Sequence, residues 1–566
     1  MTASQPNLRR TLAALLLLLC LNVAAFAQTA DDAATAKAID KLVSKAYPAD
    51  GPGASVIVIK EGRTLLRKGY GMADVELGVK VEPDMVFRLG SITKQFTAVA
   101  ILMLAEQGKL SLADDVTKFF PDYPSKGRVV TVEHLLTHTS GIKSYTSMPA
   151  WRSMWRKDMT VAELIDLFKN EPADFEPGAQ WSYNNSGYIL LGAIIEKVSG
   201  VTYEQFLQKN VFDPLGMKHT FYGSAARVIP RRVPGYTMSK EVLRNAEYLS
   251  MTQPYAAGSL LSNVDDLAIW DAALYTDKLV KQASLQKAWT PYVLKDGTTT
   301  NYGFGWSKLR YEGLTLVEHT GGIHGFSTIG IRAPEERVYV AILTNRDYQT
   351  PDSLGLRVAA LAMGRPMRDA VAAAVAPAEL DALAGVYQIS DKENYAVRRA
   401  GARVMIQRGG GRINEVFPLS PNEFFYDKAS PDRLTFTRDA SGKVTGLRVT
   451  RRFGPPTVAA RTDKTPPRGA AGGPVVSLAL APEVLERYVG VYELTPNLLL
   501  TVVLRDGSLF AQATGKPESQ LFADSDTTFF LVGVDARVEF QTGADGKATG
   551  LILHQDGRDT SAKKVK

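Results

Sequence analysis

Ser91 and Lys94 place a hydroxyl and an amine three residues apart, within the segment Ser91-Ile92-Thr93-Lys94. On a helix this spacing brings both side chains to one face. A serine hydroxyl is a weak nucleophile until a base takes its proton, and a desolvated amine beside it can act as that base. The pair therefore indicates nucleophilic catalysis through a serine.

The Ser-x-x-Lys pattern alone does not identify a site, because it recurs along the chain. It begins at Ser91, Ser140, Ser284 and Ser561. Only Ser91 leads into a long apolar run, residues 96–105, which predicts a buried helix that stops at Gly108. Ser91 would lie at the helix N-terminus, where unpaired N–H groups and the helix dipole stabilise a developing oxyanion. The alternative is that Ser91 only caps the helix.

Two further polar motifs follow in chain order. The first is Tyr183-Asn184-Asn185, and the second is His319-Thr320-Gly321-Gly322. Taken singly, Tyr183 is typical of a half-buried aromatic residue, Asn185 of a turn residue and His319 of a core histidine. The order in which the two motifs follow Ser91 and Lys94 along the chain favours instead a single site that contains all of these residues.

The succession Ser-x-x-Lys, Tyr-x-Asn and His-Thr-Gly resembles the serine β-lactamase and penicillin-binding superfamily. The resemblance covers roughly residues 40–350. It is nearest to class C β-lactamases, D-alanyl-D-alanine carboxypeptidases, D-aminopeptidases and related esterases. Secondary signatures at residues 134–141, 187–192 and 257–262 agree with it.

The resemblance implies a role for each motif residue. Ser91 would attack a carbonyl and form an acyl-enzyme, with Lys94 as its base if burial near positive partners keeps the amine partly neutral. Tyr183 would be a second base or acid, and nearby cations would have to lower its pKa from about 10. Asn185 would hold Lys94 and the substrate amide. The backbone N–H groups of Ser91 and Gly322 would form the oxyanion hole.

The third motif departs from the commoner family pattern, because His319 replaces a lysine. The resemblance implies that His319 is a catalytic-site residue with a weaker, pH-dependent charge near the substrate. Thr320 and Gly321 would contact the substrate, since adjacent glycines allow a close backbone approach. Other candidates for lining the cleft are Tyr302, Trp306 and His324.

His134 and His138 are four residues apart on a predicted helix, a spacing that two metal ligands can share. The sequence offers no third ligand and no glutamate in the H-E-x-x-H position, so a structural role is favoured. The expected site contains no metal and no cofactor.

A chain of 566 residues is too long for one ordinary core, so two to four domains are expected. Residues 36–365 predict a mixed α/β (α+β) domain, with strands at 54–60, 64–67, 329–332 and 337–344 and helices between them, including 189–198 and 265–274. This arrangement predicts an antiparallel sheet built from both ends, flanked by helices, with a helical subdomain beside it. An Ala-rich linker is predicted at residues 366–380.

An internal repeat follows the linker. Gly385-Val386-Tyr387 recurs as Gly490-Val491-Tyr492, at an offset of 105 residues, and Gly442-Lys443 recurs as Gly546-Lys547 at an offset of 104. Alternating patterns within each copy predict two small all-β barrels, at residues 381–454 and 482–566. A linker rich in Pro, Gly and Ala is predicted at 455–481. The resemblance likens these units to lipocalin-like barrels appended to some such hydrolases.

The N-terminus carries Arg9 and Arg10, an apolar run over residues 12–20 and an Ala-Phe-Ala sequence ending at Ala27. This pattern predicts a secretory signal peptide, residues 1–27, and hence a periplasmic or secreted bacterial protein. The alternative is a lipoprotein signal that uses Cys20. Leu19 counts against it, because the residue before such a cysteine is usually small. Without residues 1–27 the net charge falls from +7 to +5, which does not suggest a nucleic-acid partner.

Together these patterns predict an exported serine hydrolase that acts through an acyl-enzyme on D-amino-acid peptides or small esters. The partner would be a small-molecule or peptide substrate, and the mature form would have no transmembrane span. Two alternatives stay open: a class C-like β-lactamase, or a penicillin-binding envelope sensor with little turnover. The oligomeric state and the role of the barrels have no signal in the sequence.

Overall fold

The computed structural model describes residues 31–566, apart from 240, 391–392, 401–402, 410–412, 429, 431, 452–454, 465–479, 497, 506, 516–517, 532–535 and 556–557. The predicted signal peptide lies outside the described residues. The chain divides into two compact units, one running to Arg368 and the other comprising Asp369–Arg451 and Pro456–Lys566.

A six-stranded antiparallel sheet organises the first unit. In spatial order its strands are Ser307–Tyr311, Leu314–Ile323, Phe326–Ala333, Val338–Thr344, Ala54–Lys60 and Arg63–Tyr70. The N-terminal hairpin pairs with the last strand, with Ala54 opposite Thr344. The prediction of a sheet built from both ends of the domain is thereby confirmed.

Helices cover both faces of this sheet. On one face, residues 31–46 and the helix Asp352–Ala362 pack against inward side chains such as Val56 and Ile342. On the other face, Ile57 and Leu343 join a larger core formed with the helical insertion. The α-helices of the insertion are Thr93–Glu106, Val116–Phe119, Val132–Leu136, Val161–Asp166, Asn185–Ser199, Tyr203–Leu207, Asp213–Leu215, Tyr255–Gly258, Val264–Ala273 and Gln282–Ala288.

Short elements complete the first unit. The 3-10 turns are Gly90–Ile92, Tyr145–Ser147 and Pro149–Met154, and a π-helical turn spans Gln208–Phe212. The short strands are Met72–Asp74, Val79–Lys80, Phe87–Arg88, Phe221–Tyr222, Tyr236–Ser239, Val242–Asn245 and Leu260–Ser262. Among the described residues, no helix has both the length and the apolar character needed to cross a membrane.

The second unit contains two closed antiparallel barrels of eight strands each. The first consists of Gly385–Ser390, Glu393–Ala400, Arg403–Arg408, Ile413–Pro418, Glu423–Phe425, Arg433–Arg438, Val444–Thr450 and Thr457–Thr462. The second consists of Gly490–Thr495, Leu498–Arg505, Ser508–Ala513, Ser519–Ala523, Thr528–Leu531, Ala536–Thr542, Ala548–Gln555 and Arg558–Lys564. The predicted pair of small barrels is confirmed.

The repeat extends to equivalent tyrosines. The Tyr387 hydroxyl donates to the carbonyl of Leu383 at 2.6 Å, and the Tyr492 hydroxyl donates to the carbonyl of Tyr488 at 2.8 Å. Both acceptors belong to short helical segments that precede the barrels, Pro377–Leu383 and Pro482–Leu485 with Glu486–Tyr488. Each repeat therefore comprises a helical turn and a barrel.

Two predicted linker boundaries are wrong. The strand Thr457–Thr462 closes the first barrel by pairing with Gly385–Ser390, although the composition of 455–481 predicted a linker. The helix Pro377–Leu383 begins inside the predicted linker 366–380, and its Leu380 and Leu383 pack into the first barrel. In both places the segment is rich in Pro and Ala, and this composition is typical of a linker. A short helix or strand with few large apolar side chains is therefore hard to predict there from the sequence. Residues 465–479 of the second linker lie outside the described residues.

Candidate active site

Ser91 lies in a 3-10 turn that runs directly into the helix Thr93–Glu106. That helix is buried along most of its length, as its apolar run predicted. Gly90 has a φ of 56°, and a Cβ at this position would lie 2.9 Å from the amide nitrogen of Gly322. Glycine permits both the left-handed backbone and the close approach. The turn that contains Ser91 therefore lies against the strand that carries the third motif.

Lys94 is fully buried one turn further along the same helix. Its Nζ lies 3.2 Å from Ser91 Oγ, 2.8 Å from Asn185 Oδ1 and 2.9 Å from the carbonyl oxygen of Ala257. Burial lowers the pKa of this amine well below its usual value of 10.5. The cause is the burial that was predicted, and the positive neighbours predicted with it do not contribute.

The hydrogen-bond partners of Lys94 match a neutral amine. The Asn185 side-chain oxygen and the Ala257 carbonyl can only accept, so they use the two N–H bonds of an uncharged amine. The remaining lone pair is then available to the hydroxyl of Ser91. The geometry thus suits removal of the Ser91 proton by Lys94.

Asn185 is held by two hydroxyl groups from a neighbouring 3-10 segment. Its Nδ2 donates to Thr146 Oγ1 at 3.0 Å, and its backbone N–H donates to Ser144 Oγ at 3.3 Å. Asn185 is the first residue of the helix Asn185–Ser199, which Asn184 caps by accepting from the N–H of Gly187. These contacts orient the Asn185 oxygen toward Lys94.

Tyr183 lies beside the same pair and is 37% exposed. The Nζ of Lys94 is 4.7 Å from the centre of its ring. Burial of its hydroxyl raises the pKa of Tyr183 above its usual value of 10, and a hydrogen bond with Ser91 lowers it in part. The expectation of a lowered pKa is therefore wrong, and Tyr183 carries its proton at neutral pH. It is suited to act first as a proton donor.

His319 differs from its predicted role. The residue is only 2% exposed, and burial together with Lys94 lowers the pKa of its imidazole to about 3. Its Nδ1 donates to the Thr320 carbonyl at 2.5 Å, so its Nε2 accepts from the Tyr302 hydroxyl at 2.8 Å. The pH-dependent charge expected near the substrate is replaced by a neutral, fully hydrogen-bonded ring.

The third motif forms an open strand edge beside Ser91. The strand Leu314–Ile323 pairs on one side with Phe326–Ala333 along residues 317–323. On its other side it pairs with Ser307–Tyr311 only as far as Glu318. Among the described strands, none pairs with residues 319–323 on that side. This stretch, which contains Thr320, Gly321 and Gly322, therefore offers backbone groups to an extended ligand.

The remaining candidates pack against side chains other than Ser91 and Lys94. Trp306 is buried, with its ring 6.4 Å from that of Trp289, and His324 packs edge-on against Trp155 at 4.3 Å. His134 Nδ1 accepts from the N–H of Thr131 and completes a capping box. Within the described ranges, no three His, Cys, Asp or Glu side chains converge as a metal site would require.

Several site residues have no clear signal in the sequence. Ala257 contributes only a backbone carbonyl, and Thr146 is an ordinary hydroxyl residue in a polar loop. His138 is fully buried against Tyr183, with ring centres 4.3 Å apart. In the sequence, only the secondary signature at residues 134–141 pointed to the contact between His138 and Tyr183.

A turn and helix that carry Ser91 and Lys94, a Tyr-x-Asn loop and an open strand edge define the β-lactamase and transpeptidase class of fold. The Beta-lactamase family model matches residues 39–363 of this sequence. The chain belongs to the β-lactamase family. A second model, described as a domain of unknown function (DUF3471), matches residues 479–564, which include the second barrel.

Individual relatives agree with this assignment. Penicillin-binding protein 4* of Bacillus subtilis (strain 168) is 30% identical over 414 residues, which cover 68% of this chain and 91% of that protein. The octameric penicillin-binding protein homologue from Pyrococcus abyssi superposes with a TM-score of 0.53 at 27% identity, covering 75% of this chain and 99% of that one. D-amino acid amidase from Ochrobactrum anthropi SV3, complexed with D-phenylalanine, superposes with a TM-score of 0.52 at 26% identity, covering 58% and 99%.

The charge states of Lys94 and His319 lead to an expected pH profile. A lysine that acts as a base must be uncharged, so with Lys94 in that role kcat/KM should rise with pH as Lys94 loses its proton, at a pH well below 10.5. His319, with a pKa of about 3, should contribute no transition near neutral pH. The measurement is kcat/KM for an ester from about pH 4 to about pH 10, in the unmodified protein and in His319→Gln. Loss of the acidic limb in the variant would assign that limb to His319 instead.

Proposed function

We propose that this chain is an exported serine hydrolase that acts through a Ser91 acyl-enzyme on D-amino-acid peptides or small esters. The observation that carries the proposal is the set of contacts at Lys94. Two acceptors occupy both N–H bonds of the neutral amine and leave its lone pair for Ser91. No salt bridge involves Lys94 among the described residues, so no anion there favours the charged form of the amine.

Acylation follows from this geometry. Lys94 takes the Ser91 proton while Ser91 Oγ forms a bond to the substrate carbonyl carbon. The charge that develops on the carbonyl oxygen would be stabilised by the N–H groups of Ser91 and Gly322. In support, Gly90, next to Ser91, lies close to the amide nitrogen of Gly322. Tyr183 gives its proton to the leaving nitrogen or oxygen, and the proton on Lys94 restores the Tyr183 hydroxyl. The net transfer moves one proton from Ser91 to the leaving group.

Deacylation uses the same residues in the reverse order. Water attacks the acyl carbon and loses a proton to Lys94 or to Tyr183 acting with it. The bond between the acyl carbon and Ser91 Oγ then breaks, and Ser91 recovers its proton. The product is the free acid, and every group returns to its starting protonation state.

The substrate class is supported by the open edge at residues 319–323 and by the relatives. An extended peptide can hydrogen-bond to that edge and place its carbonyl at Ser91. A D-amino acid amidase shares the fold, and its structure holds D-phenylalanine. The neutral His319 offers no fixed cation for the carboxylate of a β-lactam, which favours peptides and esters over β-lactams. Export is supported by the basic and apolar pattern of residues 1–27.

A substrate panel tests the proposal directly. The unmodified protein is assayed with D- and L-phenylalanine p-nitroanilide, a p-nitrophenyl ester and a penicillin. We expect hydrolysis of the D-anilide at least about tenfold faster than of its L-enantiomer, which serves as the matched control. With the penicillin we expect a persistent mass increase on the peptide that contains Ser91. Rapid release of opened penicillin would indicate a β-lactamase, and a stable adduct without any hydrolysis would indicate a sensor.

A further inference from the structure

His138 contacts the candidate catalytic tyrosine through its side chain. The imidazole ring centre is 4.3 Å from that of Tyr183, and the two planes are inclined at 47°. The residue is 1% exposed. His138 takes no part in proton transfer as described above, so its position against Tyr183 needs a separate explanation.

Two hydrogen bonds join His138 to the residues on either side of Tyr183. The N–H of Ser182 donates to the His138 carbonyl at 3.0 Å, and the N–H of Asn184 donates to His138 Nδ1 at 3.1 Å. One residue thus fixes the backbone before and after the tyrosine. The second bond also holds the residue that precedes Asn185, the partner of Lys94.

The imidazole of His138 has a defined protonation state. Because Nδ1 accepts from Asn184, a neutral ring carries its proton on Nε2. Burial, with Lys94 and His319 nearby, lowers the pKa of His138 well below its usual value. Among the described residues, Nε2 has no hydrogen-bond partner and is buried. The ring lies 4.7 Å from Tyr302 and 5.2 Å from Tyr188, and aromatic faces accept N–H groups weakly.

The backbone at His138 has a φ of 61°, in the left-handed region that residues other than glycine adopt infrequently. Such conformations persist where the surroundings determine them strongly, and they cluster at functional sites. At His138 the surroundings include the two hydrogen bonds and the rings of Tyr183, Tyr188 and Tyr302. The contacts between His138 and the segment around Tyr183 therefore also stabilise the left-handed backbone of His138.

We propose that His138 is a positioning residue that fixes the Tyr183 hydroxyl toward Ser91 by holding residues 182 and 184. This inference rests on the proposed function, in which Tyr183 donates a proton. A displacement of about 1 Å at such a donor can lower turnover by up to about a hundredfold. Because His138 would orient a donor and touch no substrate, its loss should lower kcat more than it changes KM.

Two substitutions separate the hydrogen bond from the ring. In His138→Asn the side-chain oxygen can replace Nδ1 as the acceptor for Asn184, and asparagine tolerates a left-handed backbone. His138→Phe keeps an aromatic ring and removes the acceptor. We expect kcat to fall about 10- to 100-fold in the Phe variant, with KM changed less than about threefold. The Asn variant should retain most of the activity.

The control is His134→Phe, the same substitution at the nearby histidine that caps a helix. It should lower the thermal midpoint without a selective loss of kcat. Amide hydrogen exchange at residues 182–185 provides a readout independent of catalysis. Exchange should accelerate in His138→Phe and remain near the original rate in His138→Asn. Where the Phe variant does not fold, His138→Gln replaces it, because its longer side chain places the oxygen away from the Nδ1 position.

The outcomes distinguish the two proposals. Unchanged exchange and unchanged kcat in His138→Phe would overturn the positioning role, and so would equal losses in the Phe and Asn variants. If the unmodified protein hydrolyses no substrate and forms no penicillin adduct, the proposed function fails. The exchange measurement would still decide whether His138 holds the loop that carries Tyr183.

Discussion

Replacing Ser91 by alanine is expected to reduce hydrolysis of the D-anilide and the ester by about four orders of magnitude or more. The change removes the proposed nucleophile and leaves Lys94 with its contacts to Asn185 and Ala257. The fold should be retained, because Ser91 lies at the turn before its helix and makes no capping hydrogen bond there. The measurements are steady-state rates, intact mass after exposure to a penicillin, and the thermal midpoint.

Another Ser-x-x-Lys pair supplies a matched control for this experiment. Ser284 precedes Lys287 by three residues on the helix Gln282–Ala288, and its hydroxyl donates to Glu106 Oε1 at 2.5 Å. Ser284→Ala should leave both the rates and the penicillin adduct unchanged. If Ser91→Ala kept full hydrolysis and formed the adduct, the nucleophile would have to be a different residue.

A second large effect is expected at Gly321, the first of two adjacent glycines on the open strand edge. A Cβ at Gly321 would lie 1.9 Å from the carbonyl oxygen of Leu89 and 2.2 Å from Thr328 Oγ1. The Thr328 hydroxyl also donates to that carbonyl at 2.7 Å. The methyl group added in Gly321→Ala would have to displace the backbone at Leu89, two residues before Ser91. We expect it to lower the free energy of unfolding of the first unit by about 3 kcal/mol, with loss of activity.

Gly322→Ala is the control, because an added Cβ there has no atom within 4 Å. Its stability should change by less than about 1 kcal/mol. The two variants are compared by calorimetric unfolding of the full chain. Equal stability of both alanine variants would show that Gly321 is not held against Leu89.

The sequence was sufficient to predict those features that depend on side-chain type and periodicity. The apolar run at residues 96–105 marked a buried helix, and the order of Ser91, Tyr183 and His319 indicated the family. At both ends of the first domain, apolar residues either alternate with polar ones or form continuous runs, as they do in paired strands. These signals do not depend on the tertiary environment, so the sheet, the nucleophile helix and the barrels followed from them.

Charge states were not predictable in this way. Burial of His319, together with nearby Lys94, lowers the pKa of its imidazole to about 3, so the ring stays neutral far into the acidic range and no transition near pH 6.5 remains. Tyr183 likewise has its pKa raised by surroundings that the chain assembles from distant segments. The Ala257 carbonyl is a backbone group, and any residue type would supply it. The sequence therefore indicated the candidate residues of the site but not the protonation states that the proposed mechanism requires.

The closed barrels have a consequence for molecular recognition. Each barrel joins its first strand to its last, through Gly385–Ser390 with Thr457–Thr462 and through Gly490–Thr495 with Arg558–Lys564. Closure pairs the edge strands, so the described barrels have no row of free backbone groups to which another chain could add a strand. A partner of either barrel must be selected through side chains and loops. At residues 319–323, by contrast, the proposed extended substrate would be bound through its main chain, which makes recognition there less dependent on the side chains of the substrate.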